Sequence, residues 1–205
     1  MSFGAGPWPG RRGAGEAFVN SLLKLSAAID RALGIIARIG SWFAVLLMML
    51  VVYDVVVRYL GVPRLFGINA TQLQESQYWA HTILFALVIG YGYRRQAHVR
   101  IDLVRDRLPM RGKYLIEIIG CLMFLVPYCL VAIYFTSDYA HRSFQEHEVS
   151  KSMIGLTNIW ILKSFIPLMY ALLGLAGLSQ LIKSVAGLRG QLPDELVHDT
   201  IGGDA

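Results

Sequence analysis

The sequence predicts an all-α membrane protein in which four transmembrane helices follow an amphipathic interfacial helix and both termini are cytoplasmic. Composition, the spacing of apolar stretches and the distribution of cations predict this class. Of the 205 residues, 55% are hydrophobic and only 16% are charged, with a mean hydropathy of +0.50. A soluble domain carries about a quarter of its residues as charges. This chain therefore has too few charged side chains to cover a surface that faces water.

The N-terminal part divides into two segments. Residues 1–17, rich in Gly, Pro and Ala, are predicted to form a flexible tail. Over residues 18–38, Lys24, Arg31 and Arg38 recur every seven residues, and opposite them lies an apolar series with steps of three and four: Phe18, Leu22, Leu25, Ile29, Leu33, Ile36. This pattern predicts an amphipathic helix in the cytoplasmic interface, with its cations on anionic lipid headgroups. A helix packed on a partner subunit is an equally good interpretation.

Residues 39–185 are predicted to form the membrane domain, and residues 186–205 a cytoplasmic tail. Crossing about 30 Å of hydrocarbon takes roughly 17–25 predominantly apolar helical residues. Pro127 and Pro167 fall inside predicted spans, where neighbouring helices can satisfy the freed carbonyl. Four stretches have the required length, at about 39–59, 75–94, 114–137 and 157–183.

The cations separate the two sides of the membrane. Fourteen Lys and Arg residues lie in the N-terminal segment, the second loop and the C-terminal tail, against four in the first and third loops. The excess of cations on the cytoplasmic side of membrane proteins therefore places both termini in the cytoplasm. The net charge of +5 follows this topology and gives no reason to expect nucleic-acid binding.

The strong charges of the predicted spans are all near their ends. Asp54 and Arg58 have the i, i+4 spacing of a helical ion pair, and Glu75 opens the second span on the same side, so the three are predicted to form an outer clamp between helices. Lys163 lies near the outer end of the fourth span, where a lysine snorkels to the interface. An ion relay through these residues is the weaker interpretation, because conducting proteins place ionisable groups near the midplane.

Other function classes lack their sequence signals. His81 is the only histidine in a predicted span, and membrane haem needs two on facing helices. No catalytic, metal or phosphate-binding motif is present, so neither an enzyme nor a cofactor is expected. Cys121 and Cys129 lie about 12 Å apart on one helix, which predicts buried packing thiols. The alternatives are a stand-alone transporter or channel, which would need a polar stripe that no span shows, and the anchor subunit of an electron-transfer complex.

Several strings resemble the small membrane subunit of tripartite ATP-independent periplasmic (TRAP) transporters, especially the mannitol/chloroaromatic branch. The matching strings are Asp54–Tyr59 (DVVVRY), Leu73–Trp79 (LQESQYW), His98–Asp102 (HVRID), and Gly155-Leu156 with Trp160, Leu162-Lys163 and Ile166-Pro167. The likeness covers about residues 40–185. One departure is the segment 150–154, where relatives often carry a more polar Asp-Pro-Gly type of turn.

The resemblance implies a function that depends on partners. A periplasmic solute-binding protein captures a solute, usually a carboxylate, and a large multi-span membrane subunit carries it inward with sodium. The small subunit would brace the large one in the bacterial inner membrane and help to seat the binding protein. His98, Arg100 and Asp102 would then have a cytoplasmic role: Asp102 would fix the exit of the basic loop from the membrane, and Arg100 would touch headgroup phosphate or the partner. A purely topogenic basic loop is the alternative.

Overall fold

The protein is described by a computed structural model that covers residues 10–61, 67–97, 108–152 and 154–201. Regular structure in these ranges is helical, with no strand, as the sequence predicts. We number the five helices α1 (Gly10–Leu60), α2 (Ala70–Arg94), α3 (Met110–Gln145), α4 (Ile159–Leu188) and α5 (Asp194–Ile201). His98, Arg100 and Asp102 lie outside the described residues, so their predicted roles stay predictions.

Helix α4 is the centre of the bundle, since it packs against α1, α2, α3 and α5. Neighbours along the chain are antiparallel. The amide of Gln77 in α2 reaches the carbonyl of Leu50 in α1 (3.4 Å), whereas Arg94 at the other end of α2 pairs with Asp30. The long helices therefore alternate in direction around a small core of Leu33, Leu172 and Ala176, as in an up-down bundle.

Among the described residues, three helices are long and apolar enough to cross a membrane: Ala17–Leu60, Met110–Gln145 and Ile159–Leu188. Helix α2 is not among them, although its 25 residues would extend about 37 Å. Polar residues in its first half, including Gln74 and His81, lower its hydropathy. The count of four spans and the orientation of the termini therefore stay predictions.

The structure differs from the predicted division of the N-terminal part. Residues 10–60 form one helix, with no boundary at residue 17 or residue 38. No proline falls in this stretch, and isolated glycines such as Gly34 and Gly40 are tolerated inside a helix that is otherwise apolar. At 51 residues α1 is about 76 Å long. It is thus much longer than a single membrane crossing requires.

The face of α1 that is buried within the chain lies beside the predicted apolar face. Phe18 and Leu25, which we expect to face lipid or a partner subunit, are 60% and 52% exposed. The residues that are buried follow a neighbouring stripe: Val19, Ser26, Asp30, Leu33 and Ala37. This stripe packs on α4, where Ser179 shares a hydroxyl hydrogen bond with Ser26 and donates one to the Asp30 carboxylate.

Helix α3 accommodates its proline without ending. Pro127 cannot donate a backbone hydrogen bond and its ring crowds the preceding turn. A π-helical segment, Gly120–Leu125, lies directly before it and gives this turn a wider geometry. Cys121 and Cys129 are both buried and are not joined in a disulfide, which confirms their prediction as packing thiols.

Gly90 sets the distance between α2 and α4. A Cβ atom at this position would lie 2.8 Å from the carbonyl oxygen of Leu172 and 3.1 Å from the side chain of Leu33. Only glycine therefore permits this approach of three helices. Gly92, two residues on, would meet nothing within 4 Å and has no such role.

The predicted C-terminal tail is partly folded. Helix α4 ends at Leu188. Gly190, which follows the C-cap residue Arg189, has a φ of +68° that favours glycine. Helix α5 then packs back on α4. The buried Thr200 of α5 accepts hydrogen bonds at its backbone carbonyl from the amides of Gln96 (2.7 Å) and Gln180 (2.5 Å). The tail thus ties the ends of α2 and α4 together.

Candidate functional site

The predicted outer clamp is present only in part. The guanidinium Nε of Arg58 lies 2.9 Å from Asp54 Oδ1, as the i, i+4 spacing predicts. The Arg58 side chain is 45% exposed. Glu75, however, makes its described contacts elsewhere, so the prediction that it shares Arg58 is wrong. The pair on α1 is a surface feature of that helix, not a bridge between helices.

Glu75 instead fastens the loop between α3 and α4. One carboxylate oxygen accepts a hydrogen bond from Ser150 Oγ, and the other accepts one from the backbone amide of Leu156 (2.5 Å). A Cβ atom on Gly155 would lie 2.5 Å from Glu75 Oε1, so a larger residue would displace the carboxylate. The segment that departs from the family pattern is therefore anchored on α2.

Lys163 does not snorkel to water. Its ammonium forms an ion pair with Glu148, and it lies 3.9 Å from the centroid of the Tyr139 ring. Its side chain is only 12% exposed. The hydrogen bond from Lys163 lowers the pKa of Glu148, which lies in the loop. This contact joins the end of α3, the loop and the start of α4.

The strongest charge cluster was not predicted. Asp30 of α1 forms ion pairs with Lys183 of α4 and with Arg94 of α2, whose Nε atom lies 3.2 Å from the carboxylate. It also accepts a hydrogen bond from Ser179 Oγ at 2.7 Å. Ser26 adds a hydroxyl contact to Ser179 at 2.8 Å. The side chains of Asp30 and Lys183 are 8% and 4% exposed. We call these five residues the Asp30 cluster; it holds three helices together at the end of α2.

The sequence carried a weak signal for this cluster. Lys183 and Arg94 are among the cations that predict the cytoplasmic side, and the sequence analysis assigns no role to Asp30. Asp30 lies four residues after Ser26 and three before Leu33, which is the spacing of a packed stripe. A carboxylate on such a stripe needs a buried cation, because an unpaired buried charge is costly. That argument predicts a cationic partner on a neighbouring helix but does not identify which cation it is.

Helix α2 carries polar residues on the exposed face of its first half, which is shorter than the polar stripe through a whole span that a channel would need. Between Ala70 and Arg94 the exposed residues are Gln74, Tyr78, His81 and Phe85, at steps of four, three and four. Tyr78 is 68% exposed and Phe85 is 55% exposed. Gln74 and His81 have no hydrogen-bond partner within the described part of the chain. We call these four residues the α2 stripe.

Along the middle of α1 and α3 the exposed residues are mostly apolar, among them Val45, Met49, Val52, Met123, Val131 and Phe135. Such faces suit hydrocarbon lipid tails. The structure thus contrasts the polar stripe of α2 with two apolar faces.

Nothing in the described residues suggests chemistry at a cofactor or metal. No group of three or more His, Cys, Asp or Glu side chains could hold a metal ion there. The buried charges bind one another and join helices. The arrangement is that of a membrane protein whose polar groups serve assembly.

These features define the class: a multi-pass membrane protein built from long helices that are tied at both ends by charge pairs. Residues 47–187 match the family described as tripartite ATP-independent periplasmic transporters, DctQ component. The chain belongs to this family and is the small permease subunit of a TRAP transporter of the bacterial inner membrane. Its partners in such systems are a large membrane subunit and a solute-binding protein, and the family is a transporter component rather than an enzyme family. No curated protein and no solved structure gives a significant match.

Proposed function

We propose that this chain braces the large membrane subunit of its transporter, that it does so through the α2 stripe, and that the solute passes through the partner. The chain crosses the membrane four times with both termini in the cytoplasm. Helix α2 is then the second span, and its exposed face is covered by protein.

The α2 stripe is the observation that carries the proposal. If α2 crosses the membrane alongside α1 and α4, the phenol of Tyr78 and the imidazole of His81 face outward within the span, and the amide of Gln74 lies at its start. An unsatisfied polar group costs several kcal/mol in hydrocarbon. Against a partner helix the same groups form hydrogen bonds worth roughly 0.6–2 kcal/mol each. A protein partner therefore suits this face better than lipid does.

The placement of charge supports a solute path outside this chain. At one end of the bundle Asp30 pairs with both Arg94 and Lys183, and at the other end Lys163 pairs with Glu148 of the loop. Such pairs fix helix positions. A path for ions or solute through the chain would need ionisable groups near the midplane and facing its interior.

The resemblance extends the proposal to the transported solute. We expect a carboxylate-type solute, coupling to sodium, and help from this subunit in seating the solute-binding protein, as in the mannitol/chloroaromatic branch. The loop that Glu75 and Lys163 fasten lies on the proposed periplasmic side. It is the natural place for that contact.

The proposal is tested by co-purification with the large subunit. Tyr78→Leu together with His81→Leu removes polar groups from the α2 stripe, and we expect at least a fivefold loss of the co-purified partner. Tyr134→Leu is the matched control, because Tyr134 is 72% exposed on α3 and Tyr78 is 68% exposed on α2. It should leave assembly unchanged.

A second measurement addresses the solute path. The isolated chain in proteoliposomes should transport no solute, whereas the complete transporter should. Solute uptake by the isolated chain would refute the bracing role, and equal loss of the partner in both tyrosine variants would refute the docking face.

A further inference from the structure

A cleft of about 450 Å³ lies between α1 and α2 beside the Asp30 cluster. It opens to the surface at the end of α2. One wall belongs to α1 and is formed by Asp30, Arg31, Gly34, Ile35, Ala37, Arg38 and Ser41. The other wall belongs to α2 and is formed by Val88, Tyr91 and Arg94. No role in the bracing function involves this cleft.

The cleft has an excess of positive charge. Three guanidinium groups, those of Arg31, Arg38 and Arg94, line it against the single carboxylate of Asp30. That carboxylate is already paired with Lys183 behind it. Arg31 and Arg38 are exposed and have no ion-pair partner in the described ranges. The cleft is therefore suited to an anion that accepts several hydrogen bonds, as a phosphate group does.

The α1 wall of the cleft is cationic toward the N-terminal end of the helix and apolar toward its C-terminal end. Arg31, Ile35, Arg38 and Trp42 recur at steps of four, three and four, so they lie on one face of α1. Ile35 is 52% exposed and Trp42 is 71% exposed. Tryptophan concentrates at the boundary between headgroups and hydrocarbon. The exposed apolar residues Val45 and Met49 continue this face along α1.

A glycine keeps the cleft open. A Cβ atom on Gly34 would meet only the Tyr91 ring, at 3.9 Å, so a side chain there would enter the cleft without clashing with backbone. The space is thus available for a ligand and can be filled by a substitution.

We propose that this cleft binds the phosphate headgroup of an anionic phospholipid, with the acyl chains along the Trp42 face of α1. Arg31 and Arg38 bind the phosphate oxygens, Arg94 stays paired with Asp30 beside them, and the exposed apolar residues of α1 contact the chains. A soluble phosphate compound would use the same arginines but would gain nothing from the apolar face. A phospholipid therefore accounts for both the arginines and the apolar face of α1.

The test measures lipid retention by the full-length chain. The protein is purified in mild detergent, exposed to phosphatidylglycerol or to phosphatidylcholine with the same acyl chains, and analysed by native mass spectrometry. We expect phosphatidylglycerol to be retained in preference. Gly34→Leu should reduce this retention at least fivefold, and Arg31→Gln combined with Arg38→Gln should reduce it on the order of tenfold. Gly120→Leu is the matched control, because a Cβ atom at Gly120 meets nothing within 4 Å, and it should bind lipid like the unaltered chain.

Three results would overturn the proposal. Equal retention of the two lipids would remove the role of headgroup charge. Unchanged binding by Gly34→Leu, in a protein that melts like the Gly120→Leu control, would place the lipid elsewhere. Displacement of phosphatidylglycerol by millimolar inorganic phosphate would identify a soluble anion as the ligand.

Discussion

Asp30 joins three helices through its own side chain: α1, which carries it, α2 through Arg94, and α4 through Lys183. Because the carboxylate is only 8% exposed, its removal leaves two cations without their counter-charge in a poorly hydrated site. The contribution of this cluster to the free energy of unfolding is therefore best measured by removing one partner. An intact buried ion pair adds little stability compared with apolar residues of similar size.

We predict that Asp30→Asn lowers the free energy of unfolding by about 3–5 kcal/mol. Chemical unfolding in detergent, followed by circular dichroism, measures this loss. Adding Lys183→Met to the same chain should recover part of it, because the stranded ammonium is gone. Asp54→Asn is the control; its pair with the exposed Arg58 should be worth only about 0.2–1 kcal/mol. Equal effects of Asp30→Asn and Asp54→Asn would contradict the assignment of a buried cluster.

Glu148 makes the loop between α3 and α4 sensitive to acid. Its pKa is lowered in the folded protein by the hydrogen bond from Lys163, so the pair stabilises the loop above the ordinary glutamate pKa. This stabilisation is lost as the pH falls through the lowered value. We predict that the Ile159 amide, which donates to the Glu148 carbonyl, loses protection from hydrogen exchange in this acid range. Comparison with Glu148→Gln at each pH isolates the effect; a loss of protection with pH that is the same in both proteins would disprove it.

At the scale of the helix, the contact between α2 and α4 depends on one missing side chain. Gly90→Ala would place a methyl group 2.8 Å from the Leu172 carbonyl oxygen. We predict a loss of about 1–3 kcal/mol in the free energy of unfolding, the usual range for overpacking. Gly92→Ala, in open space on the same helix, should be neutral or stabilising by up to about 1 kcal/mol. Thermal unfolding of the two variants side by side tests the claim, and a destabilised Gly92→Ala would show that the cost belongs to the helix and not to the contact.

The elements that the sequence predicts are those set by local geometry. The Asp54–Arg58 pair follows from the 3.6-residue period of a helix, and the apolar stretches identify three of the long helices by their length. Helix α1 continues through the predicted boundary at residue 38. A change from amphipathic to fully apolar composition does not interrupt helical hydrogen bonding. The second helix was also predicted, at about 75–94, although polar residues in the first half of α2 weaken its apolar signal.

The missed contacts share one physical cause. Asp30 and Lys183 are 153 residues apart, and Glu75 and Leu156 are 81 residues apart. Whether such groups meet depends on how each helix rotates about its axis when it packs. Residue types and spacings do not fix that rotation. The buried stripe of α1 shows the consequence: a rotation toward Ser26 and Asp30 exposes Phe18 and Leu25.

At the scale of the whole molecule, the alternating helices make a definite topology prediction. Reporter fusions after Gly67 and Gln145 should give a periplasmic signal, and a fusion after Arg107 a cytoplasmic one. The reason is the excess of Lys and Arg in the N-terminal segment, second loop and tail. A cytoplasmic signal at Gln145 would be incompatible with four spans.

The central claim is that the α2 stripe is covered by the large membrane subunit. A photo-activatable residue is placed at position 78 on α2 or at position 134 on α3, each in the full transporter within native membranes. The two native tyrosines are similarly exposed in the isolated chain, at 68% and 72%. Crosslinking to the large subunit from position 78, with at most a minor product from position 134, is the result that we predict. No crosslink from position 78 in an assembled transporter, or a stronger one from position 134, would contradict the account.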